Sequence, residues 1–327
     1  MKYRNLIIDF SFMLIIILMV GFSEYFAEKE ILFPEIAALS TGYLLSPKRT
    51  WKVSGLRMLF LISLCALLGI CIVRFLPCSL WLQITIAFAV GQMIYLFSGT
   101  TLAPMISAIV LPVLLQSESL IYPVSAMLLT GMILLIRRLL EYLQLRPCES
   151  FHALPLPCER DLAAGLLRTG FVGLLCMVLL PRGWNYLIAP PLLVAFTEMS
   201  VSGSRIRKIP VRAILLFTFC ALDGAVCRGI LLQFLPVLPL TFAAAVSAMI
   251  LLLVIHRSRM YLPPAGAIVL LSMLIPSDTL PAFPVEIAAG STVLTLISLL
   301  FFGENPDAAW LRFVTLIHHR FSRAEED

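Results

Sequence analysis

Hydrophobic residues along this chain form long continuous runs, and polar residues gather in short segments between them. Runs of this kind predict membrane-crossing α-helices, because a membrane β-barrel needs shorter segments in which apolar and polar residues alternate. We therefore predict an all-α fold, a polytopic membrane helical bundle with twelve apolar elements. The elements cover roughly residues 5–23, 31–45, 53–76, 80–97, 101–116, 119–136, 162–181, 186–200, 210–235, 239–255, 261–276 and 281–302.

The second and fifth elements of each half are short. They hold fewer than the roughly twenty residues that a straight crossing of the hydrocarbon needs. They either cross as short helices or re-enter the membrane without crossing. In the re-entrant arrangement the basic loops alternate poorly from side to side. We therefore predict twelve crossings and keep re-entrant elements as the alternative.

The two halves of the chain carry the same landmarks in the same order. The stretch "LAPMISAIVL" (102–111) matches "LPPAGAIVL" (262–270), which is one residue shorter. Gly69 in the third element of the first half recurs as Gly224 in the third element of the second half. These matches predict a duplicated chain, in which each copy supplies six elements.

The duplication divides the chain into four regions. Residues 1–136 form the first membrane repeat and residues 161–303 the second. Residues 137–160 between them are polar, basic and proline-containing, and we predict a cytoplasmic linker. The tail, residues 304–327, alternates apolar and basic residues at helical spacing. It is predicted to lie along the inner membrane surface, with a disordered tail as the alternative.

The basic residues predict the orientation of the bundle. Most of the 24 lysines and arginines fall in loops on one side if the N-terminus is inside and all elements cross. Because basic residues are retained in the cytoplasm, both termini are predicted to be cytoplasmic in a multi-pass protein of the cell membrane. An even number of crossings per half makes the two repeats parallel. The first run lacks a small-residue cleavage site, so we predict a helix and not a signal peptide.

The composition agrees with a membrane protein and excludes several other classes. The chain is 60% hydrophobic and 13% charged, whereas a soluble domain has about 25% charged residues. The net charge of +5 follows from the predicted orientation, and no nucleic-acid motif is present. The eight cysteines and four histidines show no metal-ligand spacing. No catalytic set is in register, so we predict neither an enzyme nor a cofactor.

Prolines and small residues in the fifth elements are the first candidate site. Pro263, Pro264 and Gly266 lie in one half, and Pro104 and Ser107 lie in the other. A proline pair inside a helix leaves a backbone carbonyl without its intrahelical hydrogen bond, and at membrane depth another group must satisfy that carbonyl. Prolines at the start of a helix cause no such loss. Small residues allow close backbone packing. Short, Pro/Gly-interrupted segments at matching places also indicate a transporter's binding site. The packing and path interpretations both stay open here.

Ionisable residues at membrane depth are the second candidate site, because their burial is costly. Glu35 and Glu198 lie in the short second elements at different depths. Asp223 and Arg228 lie in one long element, either as a structural ion pair or as a proton relay or anion contact. Arg168 is expected to snorkel to the inner surface.

Two arginines flank the predicted cytoplasmic mouth of the matched third elements. Arg57 and Arg212 occupy equivalent positions at the start of these elements. The retention of basic residues on the cytoplasmic side is sufficient to explain their positions. The alternative is an electropositive vestibule that gathers small anions at the inner face.

The stretch "LPPAGAIVLLSML" resembles the motif of the HPP family of membrane proteins, a His-Pro-Pro followed by small residues. The upstream stretch "IPVRAILLFTFCALDGAV", with Pro210 and Gly224, is similar to a second stretch of that family. Leu262 stands where the family motif has histidine, and Phe217 lies near a second histidine position. Plant members are associated with nitrite transport into plastids. Because both histidines are absent, we do not infer nitrite transport for this chain.

The architecture also resembles that of fusaric-acid-resistance and aromatic-acid-exporter proteins, which have two six-helix halves. Those proteins usually add a soluble cytoplasmic domain, and we predict no such domain within residues 1–327.

Three functions are compatible with these features of the sequence. The favoured one is a transporter or channel for a small solute, with a small anion as the favoured class. The second is a proton-coupled exporter of aromatic or other weak acids, with Asp223 or Glu198 as the proton-coupled group. The third is a non-transporting membrane subunit of a complex. The expected partners are membrane lipid and a small-molecule or ion substrate, and a homo-oligomer is compatible with all three.

Overall fold

A computed structural model describes residues 2–201, 203–234 and 237–302, and this part of the chain is helical with no strand. The predicted tail, residues 304–327, lies outside the described residues. The described α-helices are α1 (Lys2–Tyr25), α2 (Glu35–Ser40), α3 (Gly55–Phe75), α4 (Leu80–Phe97), α5 (Pro104–Leu114), α6 (Ile121–Tyr142), α7 (Glu159–Leu179), α8 (Pro190–Met199), α9 (Pro210–Phe234), α10 (Leu240–Ser258), α11 (Pro263–Leu274) and α12 (Phe283–Phe301). The all-α prediction is confirmed.

Eight of the described helices are long and apolar enough to cross a membrane, namely α1, α3, α4, α6, α7, α9, α10 and α12. Each also exposes large apolar side chains on its outer surface, such as Phe10, Phe60 and Val211. Exposed apolar surface on this scale is unfavourable in water and is accommodated in hydrocarbon. The chain is therefore an integral, multi-pass membrane protein.

Four short helices, α2, α5, α8 and α11, lie inside this wall of long helices. All residues of α2 and α5 are buried, and so are all but one in each of α8 and α11. A helix that is apolar on all sides belongs inside a protein or a membrane. The longest of the four, α11, has 12 residues. At 1.5 Å per residue it spans about 18 Å of a hydrocarbon core about 30 Å thick.

The segments that contain α2 and α5 run from one end of the bundle toward the other. Before α2, the Ile31 carbonyl accepts a hydrogen bond from Ser125 at the start of α6, at 2.8 Å. After α2, the Tyr43 carbonyl accepts one from Arg137 near the end of α6, at 2.9 Å. Helix α5 likewise connects Thr101, which contacts Lys52 just before α3, with a loop that contacts the far end of α3. For α2 and α5 this path agrees with the predicted crossing arrangement.

We call the end that holds residues 46–54, 98–103 and 143–158 the linker end. The Leu154 amide donates to the Gly99 carbonyl there, at 2.9 Å. Helix α6 extends to Tyr142 at this end, six residues past its predicted limit of 136. The extension is stabilised because Arg137 forms an ion pair of 2.7 Å with Glu141, one helical turn later.

Helices of the two halves pack against one another in corresponding pairs. Helix α2 packs on α11, and α8 packs on α5. Around them, α1 packs on α10, and α7 packs on α4. Gly266 permits the first contact, because a Cβ atom at this position would lie 2.9 Å from the Ala37 carbonyl oxygen. The central short helices are therefore where the two halves meet.

Candidate functional site

A buried carboxyl group joins two of the short helices. Glu35 is the first residue of α2, and its carboxylate accepts a hydrogen bond from the Ser107 hydroxyl on α5. Glu35 is 1% exposed, and its second oxygen, Oε2, has no hydrogen-bond partner. An incompletely paired acid at membrane depth is costly, which marks it as a functional candidate.

Further polar atoms without partners follow on the same segment. The hydroxyl groups of Ser40 and Thr41 are buried and make no hydrogen bond. Residues Thr41–Leu45 form a π-helical turn, a widened geometry found frequently at functional sites. Gly42 allows the Trp51 indole to lie against this turn, because a Cβ atom would approach the ring to 2.5 Å.

A second polar cluster lies where α8 ends. The Trp51 indole N–H donates to Glu198 Oε1 at 2.8 Å. One residue earlier, the Thr197 hydroxyl accepts from the Gln92 amide of α4, also at 2.8 Å. The amide oxygen of Gln92 is buried without a partner. Side chains from both halves of the chain therefore build this cluster.

The expected ion pair between Asp223 and Arg228 is wrong. Five helical positions place two side chains about 140° apart around the axis, so they point in different directions. Arg228 instead donates to the carbonyl oxygens of Ser272 and Ile275, both at 2.6 Å, and so holds the end of α11. Arg74 on α3 similarly binds the Glu118 carbonyl after α5, at 2.8 Å.

Asp223 is left with a weak partner. It is 8% exposed, and it accepts a hydrogen bond from the Cys227 thiol at 3.6 Å. Its second oxygen, Oδ2, has no partner. Asp223 is thus a second buried carboxyl group with an unpaired oxygen.

The three prolines that the sequence singled out in the fifth elements begin helices and do not interrupt them. Pro104 is the first residue of α5, and Pro263 and Pro264 open α11. At these positions the missing N–H groups cost no intrahelical hydrogen bond. Together with the contact of Gly266 on α2, this supports the packing interpretation for these residues. Pro112, which lies inside α5 against Gly69, was not singled out by the sequence.

The arginines of the predicted vestibule have different surroundings. The Arg57 guanidinium lies over the Phe151 ring of the linker, 5.1 Å from its centroid. Arg212 is exposed in the first turn of α9. Nearby, Arg49 forms an ion pair of 2.8 Å with Glu141. The structure therefore engages Arg57 and Arg49 in contacts within the protein.

Two buried arginines were missed or misread from the sequence. Arg168 is 3% exposed and lies 6.0 Å from the centroid of the Phe302 ring, so the expected snorkelling is wrong. Arg137 is also buried, and it bonds the Tyr43 and Pro147 carbonyls as well as Glu141. For Arg168 the signal is a basic residue inside a predicted apolar element, whereas Arg137 was assigned to the start of the predicted linker.

Within the described residues, no group of three or more His, Cys, Asp or Glu side chains is placed to hold a metal ion. The site consists of buried carboxyl, hydroxyl and amide groups between helices. Comparison of the chain with known families, curated proteins and solved structures finds no family model, no curated protein and no solved structure that matches it.

Proposed function

We propose that this protein transports a small solute across the membrane, along a path between the short helices α2, α5, α8 and α11. The observation that carries the proposal is the Glu35 carboxyl, which is buried between α2 and α5 with one oxygen unpaired. Such a carboxyl group is neutral when it is protonated. When it is ionised, it can accept a hydrogen bond from a solute or bind a cation. Glu35 is therefore the proposed proton-carrying residue.

The lengths of the short helices support a path at this place. The longest of them, α11, spans about 18 Å of the roughly 30 Å hydrocarbon thickness, and the other three are shorter, so the ends of the central core are recessed from the membrane surfaces. The polar groups without partners, on Ser40, Thr41 and Gln92, lie on or beside this core. Water or a polar solute entering from either end would satisfy them.

A small anion is the favoured solute class. Protonation removes the negative charge of Glu35, which would otherwise repel an anion, and transfer of that proton together with the anion moves no net charge across the membrane. The resemblance to the HPP family agrees with a small anion, and Leu262 and Phe217 are the reason to test anions other than nitrite.

Flux into proteoliposomes tests the proposal. Uptake of nitrite, acetate and benzoate is measured with and without a pH gradient for the natural chain and for Glu35→Gln. The control is Glu118→Gln, an exposed glutamate on the loop after α5. We expect a pH gradient to drive uptake in the natural chain and in the control, and Glu35→Gln to abolish this response.

Absence of flux for every solute would contradict transport and favour a non-transporting membrane subunit. Equal loss in Glu35→Gln and Glu118→Gln would contradict the role of Glu35.

The second candidate is export of aromatic or other weak acids coupled to a different carboxyl group. The unpaired Oδ2 atom of Asp223 favours it. In the same assay, benzoate flux that is lost in Asp223→Asn and kept in Glu35→Gln would select this candidate. Glu198→Gln tests the other acid that the sequence indicated.

A further inference from the structure

A groove of about 860 Å³ lies on the outside of the bundle along the seam between α3 and α6. Its walls are apolar, with Leu56 and Leu59 from α3 and Met127, Leu128 and Leu135 from α6. Leu128 and Leu135 are 63% and 72% exposed, so the groove opens sideways to the surroundings of the bundle. In a membrane those surroundings are hydrocarbon.

Gly131 gives the groove its depth on the α6 side. It lines the groove, and a Cβ atom added to it would meet nothing within 4 Å. A side chain at this position would therefore start in open space and extend into the groove.

The groove changes from apolar to charged toward the linker end. Arg49 and Arg137 lie there, and both form ion pairs with Glu141, at 2.8 Å and 2.7 Å. Glu149 lies 4.0 Å from Arg137. Arg138 also lines this end, is exposed, and has no carboxylate oxygen within 4 Å among the described residues. The charged end therefore retains one positive charge that is not neutralised locally.

The dimensions match one leaflet of a bilayer. From Met127 to Arg138 the α6 axis advances about 16 Å, because each helical residue contributes 1.5 Å. One leaflet supplies about half of the 30 Å hydrocarbon thickness. An acyl chain that lies along the apolar wall therefore ends with its headgroup near Arg138.

We propose that this groove is a binding site for an anionic phospholipid, with an acyl chain against the α3–α6 wall and the phosphate on Arg138. Arginine binds phosphate through charge-assisted hydrogen bonds in a fixed geometry. A side groove open to hydrocarbon also gives a lipid access from the membrane. The proposal does not depend on transport.

Native mass spectrometry of the purified chain in detergent tests the proposal. The chain is mixed with phosphatidylglycerol or phosphatidylcholine that have identical acyl chains, and the bound lipid is counted. We expect about fivefold stronger binding of phosphatidylglycerol, the factor that one basic residue near the surface contributes to the attraction of anionic lipid.

Two variants separate the acyl chain from the headgroup. Gly131→Leu should reduce binding of both lipids, because its side chain occupies the groove. The control is Gly170→Leu on α7, an exposed glycine that also has nothing within 4 Å. Arg138→Gln should lower the binding of phosphatidylglycerol to the level of phosphatidylcholine binding. The binding of phosphatidylcholine should not change. Arg257→Gln, which removes an exposed arginine from the last turn of α10, should keep the preference.

Equal binding of both lipids to the natural chain overturns the proposal, and so does an equal effect of Gly131→Leu and Gly170→Leu. Displacement of phosphatidylglycerol by millimolar benzoate also overturns it, because the groove would then hold a soluble acid. If Gly131→Leu fails to fold, Leu128→Asn replaces it, with Leu253→Asn on α10, 64% exposed, as its control.

Discussion

The two halves of the molecule have the same order of long and short helices but bury different polar groups. In the first half the carboxyl group is Glu35, at the start of α2, bonded to Ser107 of the same half. In the matching short helix of the second half, α8, it is the partly buried Glu198, at the opposite end of the helix and bonded to Trp51 of the first half. The two halves therefore share the order of their helices but differ in their polar side chains. The proposed path has different polar groups near its two ends.

The ends of the short helices differ in the same way. The π-helical turn after α2 is held by Arg137 and Arg146, which bond its carbonyl groups, and Arg137 is tied to Glu141. The end of α8 is bonded by Arg207, which also reaches the Ser298 carbonyl of α12. In the first half, the ion pair of Arg137 with Glu141 and the bonds of Arg137 to the Tyr43 and Pro147 carbonyls connect the linker to the helix core.

The largest expected difference between the halves is in proton-coupled flux. Glu35→Gln should abolish uptake driven by a pH gradient, because a glutamine side chain does not take up and release a proton as a carboxyl group does. Glu198→Gln should retain a measurable part of the uptake, since Glu198 is less buried and has its bond from Trp51. Proteoliposome uptake at matched protein density measures both. Complete loss in Glu198→Gln with full retention in Glu35→Gln would reverse the assignment.

The next largest effect concerns stability at the linker end. Arg137→Leu should lower the free energy of unfolding by about 3 kcal/mol, the cost of removing one partner from a buried pair. The matched control is Arg138→Leu at the exposed neighbouring residue. This substitution should change the free energy of unfolding by no more than about 0.5 kcal/mol. Thermal unfolding in detergent compares the two variants. Similar losses in both would show that the pairing with Glu141 contributes little.

A smaller difference is expected at the matched glycines of α3 and α9. A Cβ atom at Gly69 would lie 2.5 Å from both the Ile109 carbonyl oxygen and the Pro112 ring. At Gly224 the nearest atom is the Ser272 hydroxyl oxygen, which belongs to a side chain that rotates, and the nearest backbone atom, the Val269 carbonyl oxygen, lies farther away, at 2.8 Å.

Both alanine variants should destabilise the protein, by about 1–3 kcal/mol for overpacking, and Gly69→Ala should lie at the upper end. Melting temperatures of the two variants, measured side by side, test the order. The opposite order would indicate that α5 shifts more easily than α11.

The smallest effects are expected at glycines in open positions. Gly131→Ala on α6 and Gly229→Ala on α9 should each stabilise the protein by up to about 1 kcal/mol, the difference in helix propensity. Denaturation curves of both variants provide the measurement. Destabilisation at Gly131 alone would indicate that the groove is already occupied in the purified protein.

The sequence by itself determined the helices of this protein, because helix formation in lipid depends on local properties. Apolar runs and proline positions located all twelve described helices, with α4 (Leu80–Phe97) predicted to the residue. The largest error was the end of α6, where the ion pair between Arg137 and Glu141 extends the helix. Fold class and membrane location therefore followed from hydrophobic pattern and composition.

Only the tertiary structure decided which polar groups meet. Glu35 and Ser107 are 72 positions apart in the chain, and Trp51 and Glu198 are 147 positions apart. Their contacts depend on how short helices of two halves pack, which the periodicity of one segment does not encode. The pairing expected from proximity in sequence, Asp223 with Arg228, failed because five helical positions turn the side chains apart. Hydrophobicity acts on each segment separately, whereas hydrogen bonds between helices require the assembled bundle.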